Sequence, residues 1–198
     1  GGIATSGSSV FWVDSNGKVK RNTGTILATS PDPARISPYG EMAVSPGYVF
    51  WTDEEGEFYD GGRLWRAARA GGGSPELIAD YTVNNRGGFR AVAAVSDSRV
   101  ITLLTNGNLV NHTLLPGLPP FGIPFWLSSN IATSVSAMNV RGGRIHWVSY
   151  SGTTSTFYSA PLTDTSARTN LGTQTTTAGQ LIYQMATGDG RIFYQVLS

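Results

Sequence analysis

The sequence predicts an all-β chain built from one repeated four-strand unit. Three observations carry this. The 198 residues include 25 glycines, and only 14% are Asp, Glu, Lys or Arg, against about 25% in a typical soluble domain. No stretch sustains a 3.6-residue apolar period, so helices should be scarce. A short apolar strand, each time preceded by a turn signal, recurs along the whole chain.

A β-branched residue opens that strand at Val10, Val49, Val100, Ile145 and Ile192, at spacings of 39, 51, 45 and 47 residues. A first strand precedes each opener. Seven residues upstream stand Ile3, Met42, Ala93, Met138 and Met185; six upstream stand Ala4, Ala43, Ala94, Asn139 and Ala186. The alanines suit a place where strands crowd. The intervening turns are Gly7-Ser8, Pro46-Gly47, Asp97-Ser98, Gly142-Gly143 and Asp189-Gly190, residues that supply the dihedrals of tight hairpins. Third strands follow at Val19-Lys20-Arg21, Leu64-Trp65-Arg66, Leu109-Val110-Asn111 and Phe157-Tyr158-Ser159. Fourth strands follow at Thr25–Ala28 and Glu76–Ala79, with weaker signals at Phe125–Leu127 and Thr169–Leu171.

Four strands in each repeat of this length is the arithmetic of a propeller blade. The expectation is a single β-propeller domain over residues 1–198, with about four complete four-stranded blades and a partial fifth. A β-sandwich also has many short strands, but nothing in a sandwich requires one unit to recur in register. The last repeat supplies two strands only: either a second chain or copy completes that blade, making it a partner, or the chain is a fragment, or the blade count is off by one.

The second repeat reads Pro38–Val44, Val49-Phe50-Trp51-Thr52-Asp53, Gly62–Arg66 and Gly72–Ile78. It resembles the YWTD-type β-propeller repeat of the low-density-lipoprotein-receptor family and the related repeats of bacterial secreted propellers. The first repeat shares Phe11-Trp12-Val13-Asp14; the fourth keeps Trp147 but has Ser149 in place of the Asp. The resemblance implies a secreted or cell-surface binding module, although a fold alone does not fix a function.

Composition removes several classes. Fourteen basic residues face thirteen acidic ones, which disfavours nucleic-acid binding, where phosphate neutralisation dominates. The absence of cysteine excludes disulfides and thiolate chemistry. No apolar run reaches the roughly 18 residues of a membrane helix. The only histidines are His112 and His146, both read as structural, and no hydrolase or zinc motif surrounds them. The reading is therefore non-enzymatic, with a carboxylate-based glycosidase or lyase as the remaining catalytic option.

Two groups are candidates for a site. Tyr39, Tyr59, Tyr81 and Tyr150, with Asn84 and Arg86, fall in predicted loops opening on one propeller face. Exposed rings beside amides suit recognition of a glycan or a protein. The densest acidic cluster, Asp53, Glu54 and Asp60 with Glu55 and Glu57, offers oxygen ligands of the kind calcium takes; a solvated loop is the plainer reading. Asp14-Ser15-Asn16-Gly17 reads as a hairpin turn. The segment Pro116–Pro124 reads as an extended insertion.

Overall fold

The computed structural model describes residues 2–31, 41–55, 61–81, 88–115, 125–177 and 180–197. All regular structure there is β-strand. The first sheet is β1 (Ile3–Ser6), β2 (Ser9–Val13), β3 (Lys18–Arg21) and β4 (Ile26–Thr29). The second is β5 (Met42–Val44), β6 (Tyr48–Glu55), β7 (Gly61–Ala68) and β8 (Glu76–Asp80). The third is β9 (Phe89–Ser96), β10 (Arg99–Leu104), β11 (Leu109–Leu115) and β12 (Phe125–Ala132). The fourth is β13 (Val135–Arg141), β14 (Arg144–Ser151), β15 (Thr154–Pro161) and β16 (Thr169–Thr175). The last pair is β17 (Leu181–Gly188) and β18 (Arg191–Leu197). In every four-stranded sheet the strands lie side by side in sequence order. The predicted openers all fall in second strands and the upstream residues all fall in first strands.

Strand pairing explains the recurrent alanine. Ala4 faces Phe11, Ala43 faces Phe50 and Ala186 faces Phe193 across the antiparallel ladder. Directly opposed Cβ atoms sit about 5 Å apart, so a small residue leaves space for the ring. The fourth sheet keeps the same register with Asn139 opposite His146. The third sheet has the same two-residue turn, with Ser96 paired to Arg99, but then bulges. Ala94 pairs with Val100 and Val95 is the extra residue, as one inserted residue in one strand requires. In Gly142-Gly143 both residues have positive φ, 59° and 72°, and Asp189-Gly190 follows suit at 50° and 71°. That is the mirror-image turn whose twist suits a two-residue hairpin.

The described residues group into two compact units, 1–106 with 111–129, and 107–110 with 130–198. In the first, Phe11, Val13, Val19 and Leu27 of the first sheet pack with Met42, Val49, Trp51 and Ala67 of the second. Complete burial of such a Val, Leu, Met or Phe side chain contributes about 1.5–3 kcal/mol. The run Val49–Asp53 is buried at every position, the mark of a strand covered on both faces. In the second unit, Val148 and Phe157 pack against Ile182 and Met185.

Within each unit the hairpin turns of successive sheets are tied together at one end. Arg69 Nη1 donates to Ser45 O at 3.0 Å and to Ser6 Oγ at 3.3 Å, with its guanidinium over the Phe11 ring. Asp97 Oδ1 accepts from Ser45 Oγ at 2.6 Å and from Gly47 N at 2.8 Å. These bonds hold the Asp97 carboxyl below its ordinary range, the Ser45 hydroxyl contributing most. In the second unit Arg141 Nη1 donates to Thr187 O, and Thr187 Oγ1 donates to Asn139 Oδ1 at 2.9 Å.

Candidate functional site

A concavity formed by described residues lies in the second unit, at the end of the β13–β14 hairpin away from its turn. It is an open cleft of about 380 Å³, at the lower end of the range for small-molecule sites. One wall is the end of β12 and its turn into β13, Asn130 to Ser134; the other carries Ser149 and Tyr150 of β14, Tyr158 of β15 and Arg168. Ser134 occupies the left-handed region at φ 55°, and its carbonyl accepts from Tyr150 N at 2.9 Å. That bond fixes the turn against β14.

The opposite wall is stiffened by stacking. Tyr158 lies directly across from Trp147, their rings 5.4 Å apart and inclined by 24°. Trp147 is fully buried, so it forms the floor of the pile. The Arg168 guanidinium caps it, 5.2 Å from the Tyr158 centroid. An aromatic face and a weakly hydrated planar cation stack readily. Apart from Ile131 and Ala132, every lining side chain carries a hydrogen-bonding group.

Of the sequence candidates, Tyr150 lines this cleft, although from strand β14 rather than from a loop. Tyr81 is a correction: it is 7% exposed, its ring set edge-on against Phe89 at 5.6 Å and near His112 at 6.2 Å. Its amide donates to Gly62 O, which tucks it under the β7 hairpin end, so it offers no stacking face to solvent. Tyr39, Tyr59, Asn84, Arg86 and Asp60 lie outside the described residues, as does the side chain of Glu54 and the segment 116–124.

Asp53 is a second correction. It is fully buried rather than solvated. Its Oδ1 accepts from Arg63 N at 2.9 Å and its Oδ2 from Trp65 Nε1 at 2.7 Å. Both oxygens already serve the β6–β7 hairpin, whose geometry they fix. Among the described residues no group of three or more acidic or histidine side chains converges as a metal cage would. Asp14 behaves as the turn reading requires. Its Oδ1 accepts from the amides of Asn16 and Lys18, and its Oδ2 pairs with Lys20 Nζ at 2.6 Å; the Lys20 bond is the largest cause lowering its pKa.

His112 sits in a polar line across the third sheet. Its Nε2 is 2.9 Å from Thr102 Oγ1 and its Nδ1 2.8 Å from Ser128 Oγ. The Ser128 contact has the reach of a nucleophile–base pair. Burial, however, lowers the imidazole from 6.5 to about 4, so it is a weak base held neutral. The arrangement joins β10, β11 and β12. His146 is likewise lowered, by burial first and by Arg144 second.

Tyr158 and Arg168, which complete the cleft, were not singled out by the sequence. Tyr158 reads there as an ordinary third-strand residue. The available signal was its place opposite Trp147, the position that Trp65 takes opposite Trp51. The chain matches no family model, and no characterised protein matches it as a relative.

Proposed function

We propose that the chain is a β-propeller-type binding module that holds a saccharide in the cleft between the β12–β13 turn and Tyr158. The observation that carries this is the lining itself: two tyrosines with serine, threonine, asparagine and arginine groups around an open cleft. Aromatic carbon beside hydroxyl and amide partners suits the apolar and polar faces of a sugar. The propeller reading is supported by how first strands neighbour one another. β1 lies beside β5 and β5 beside β9 in one unit, and β13 lies beside β17 in the other, as innermost blade strands do. The Val49–Asp53 run supports the YWTD-like reading and, with it, a secreted or cell-surface setting. No helix of the described residues is long and apolar enough to cross a membrane.

A glycan-array screen tests the proposal, with Tyr150→Ala and Tyr158→Ala as controls. The expected result is specific binding that both variants weaken about tenfold, each losing roughly one stacking contact, and that a chelator leaves unchanged. Binding insensitive to both variants would place the ligand elsewhere.

A second reading is an assembly subunit. Among the described residues β18 pairs only with β17, and Phe193, Tyr194 and Val196 are exposed. Every other second strand has a third strand on its far side. A strand from another polypeptide would complete the ladder by β-augmentation. Light scattering of the wild type against Phe193→Lys decides: an oligomer that the charge dissolves supports this reading, and a monomer in both removes it.

A further inference from the structure

We infer that the cleft selects saccharides carrying a carboxylate, and that Arg168 is the group that selects them. The inference rests on the saccharide-binding reading above and adds a ligand class to it. Arg168 is the one charged residue lining the cleft, so its field has no opposing charge in the lining. Among the described residues no carboxylate lies within ion-pair distance of its guanidinium. The nearest acid in sequence, Asp164, is occupied by Ser166, whose hydroxyl and amide donate to Oδ1 at 2.6 and 3.0 Å.

Arg168 is also oriented before any ligand arrives. The guanidinium carbon sits over the Tyr158 ring at 5.2 Å, and Tyr158 in turn stacks on the buried Trp147, so the side chain is restrained on its ring side. The Arg168 amide is itself fixed by donation to Ser166 O at 2.8 Å. A planar fork restrained by an aromatic neighbour suits a carboxylate, which accepts two parallel bonds. An ordinary solvated arginine would have to lose rotamer freedom to do the same, and that cost lowers affinity. Asn130, Thr133 and Ser149 would then meet the hydroxyls of the same sugar, which a bare carboxylate lacks.

The test uses the whole chain, isotope-labelled, with methyl glucuronide, methyl glucoside and sodium acetate as probes in amide NMR titrations at low salt. The expected result is about tenfold tighter binding of the glucuronide than of the glucoside, since a charge-assisted pair at an exposed site supplies about that factor. Arg168→Gln should abolish the difference, weakening the glucuronide far more than the glucoside; Arg168→Lys, which keeps the charge without the fork, should retain only part of it. Equal binding of the two sugars by the wild type, or an undiminished preference in Arg168→Gln, overturns the inference and leaves the saccharide reading standing. Acetate binding as tightly as the glucuronide reduces the cleft to an anion site and also overturns it. If neither sugar shifts Tyr150, Ser149 or their neighbours, the saccharide reading falls and this inference falls with it.

Discussion

The buried imidazole of His112 makes stability depend on pH in a calculable way. Its ordinary pKa of 6.5 applies to the unfolded chain, and burial lowers it to about 4 in the fold. Between those values the unfolded state binds the proton and the folded state refuses it. Stability from this group is therefore complete above pH 6.5 and is lost as pH falls towards 4. At 1.36 kcal/mol per unit, the loss between pH 7.5 and 5.0 is about 2 kcal/mol. His112→Gln isolates it, because Gln keeps polar atoms between the Thr102 and Ser128 hydroxyls but does not titrate. The assay is urea unfolding followed by tryptophan fluorescence across that range. The wild type should lose about 2 kcal/mol more than the variant; His146, also lowered, is present in both and cancels. Curves that fall in parallel would show that His112 carries no such penalty, as would an imidazole resonance titrating above pH 6.

Three further outcomes follow from the first unit. Asp53→Ala leaves Trp65 Nε1 and Arg63 N without the bonds described, and should cost about 2–4 kcal/mol; calcium should not change the melting temperature of the wild type, and a calcium-dependent rise lost in Asp53→Ala would reinstate a metal role. Gly62→Ala sets a methyl against the Phe89 ring and the Asp53 carbonyl oxygen, the latter backbone that cannot swing away, and should cost about 1–3 kcal/mol; an unchanged denaturation midpoint refutes that crowding. Asp97→Ala removes the bonds to Ser45 and Gly47 and should cost about 1 kcal/mol near neutral pH. Because the folded carboxyl is lowered, that contribution is lost as pH falls through its folded pKa, so wild type and variant should converge in acid.

Much of the strand plan was legible in the sequence because it is enforced locally. Val10, Val49 and Ile145 announce second strands by recurring in register after a turn, and Gly142-Gly143 announces its turn by backbone freedom. Ala43 opposite Phe50 is a volume constraint that leaves its trace in both strands. The third sheet was the least legible, since the extra Val95 moves Ala93 and Ala94 to new partners while their spacing from Val100 stays the same. The fates of Asp53 and Tyr81 were not legible at all. An acidic residue at a strand end reads as solvated until Trp65, twelve residues on, is known to turn its indole towards it. Tyr81 follows a strand and reads as loop until Phe89 closes over it. Arg168 enters the cleft only beside Tyr158, a proximity made by the β15–β16 ladder and invisible in either segment alone.

The fastening of each unit at one end of its hairpins has a consequence for change over time. In the first unit Ser45 and Gly47 are bonded to Asp97 and Ser6 is joined to them through Arg69, as Asn139 and Arg141 both reach Thr187 in the second, and substitutions there are felt by two sheets at once. The cleft lies at the far end of β13 and β14, away from the Thr187 tie, where the backbone is held instead by Val135 N on Gly107 O at 2.8 Å and Tyr150 N on Ser134 O at 2.9 Å. On the binding reading proposed above, ligand preference can drift through side chains such as Asn130, Thr133 and Arg168 while the backbone bonds at both ends go on setting the spacing of the sheets. Specificity would then be inherited through side chains and cohesion through the bonds between sheets.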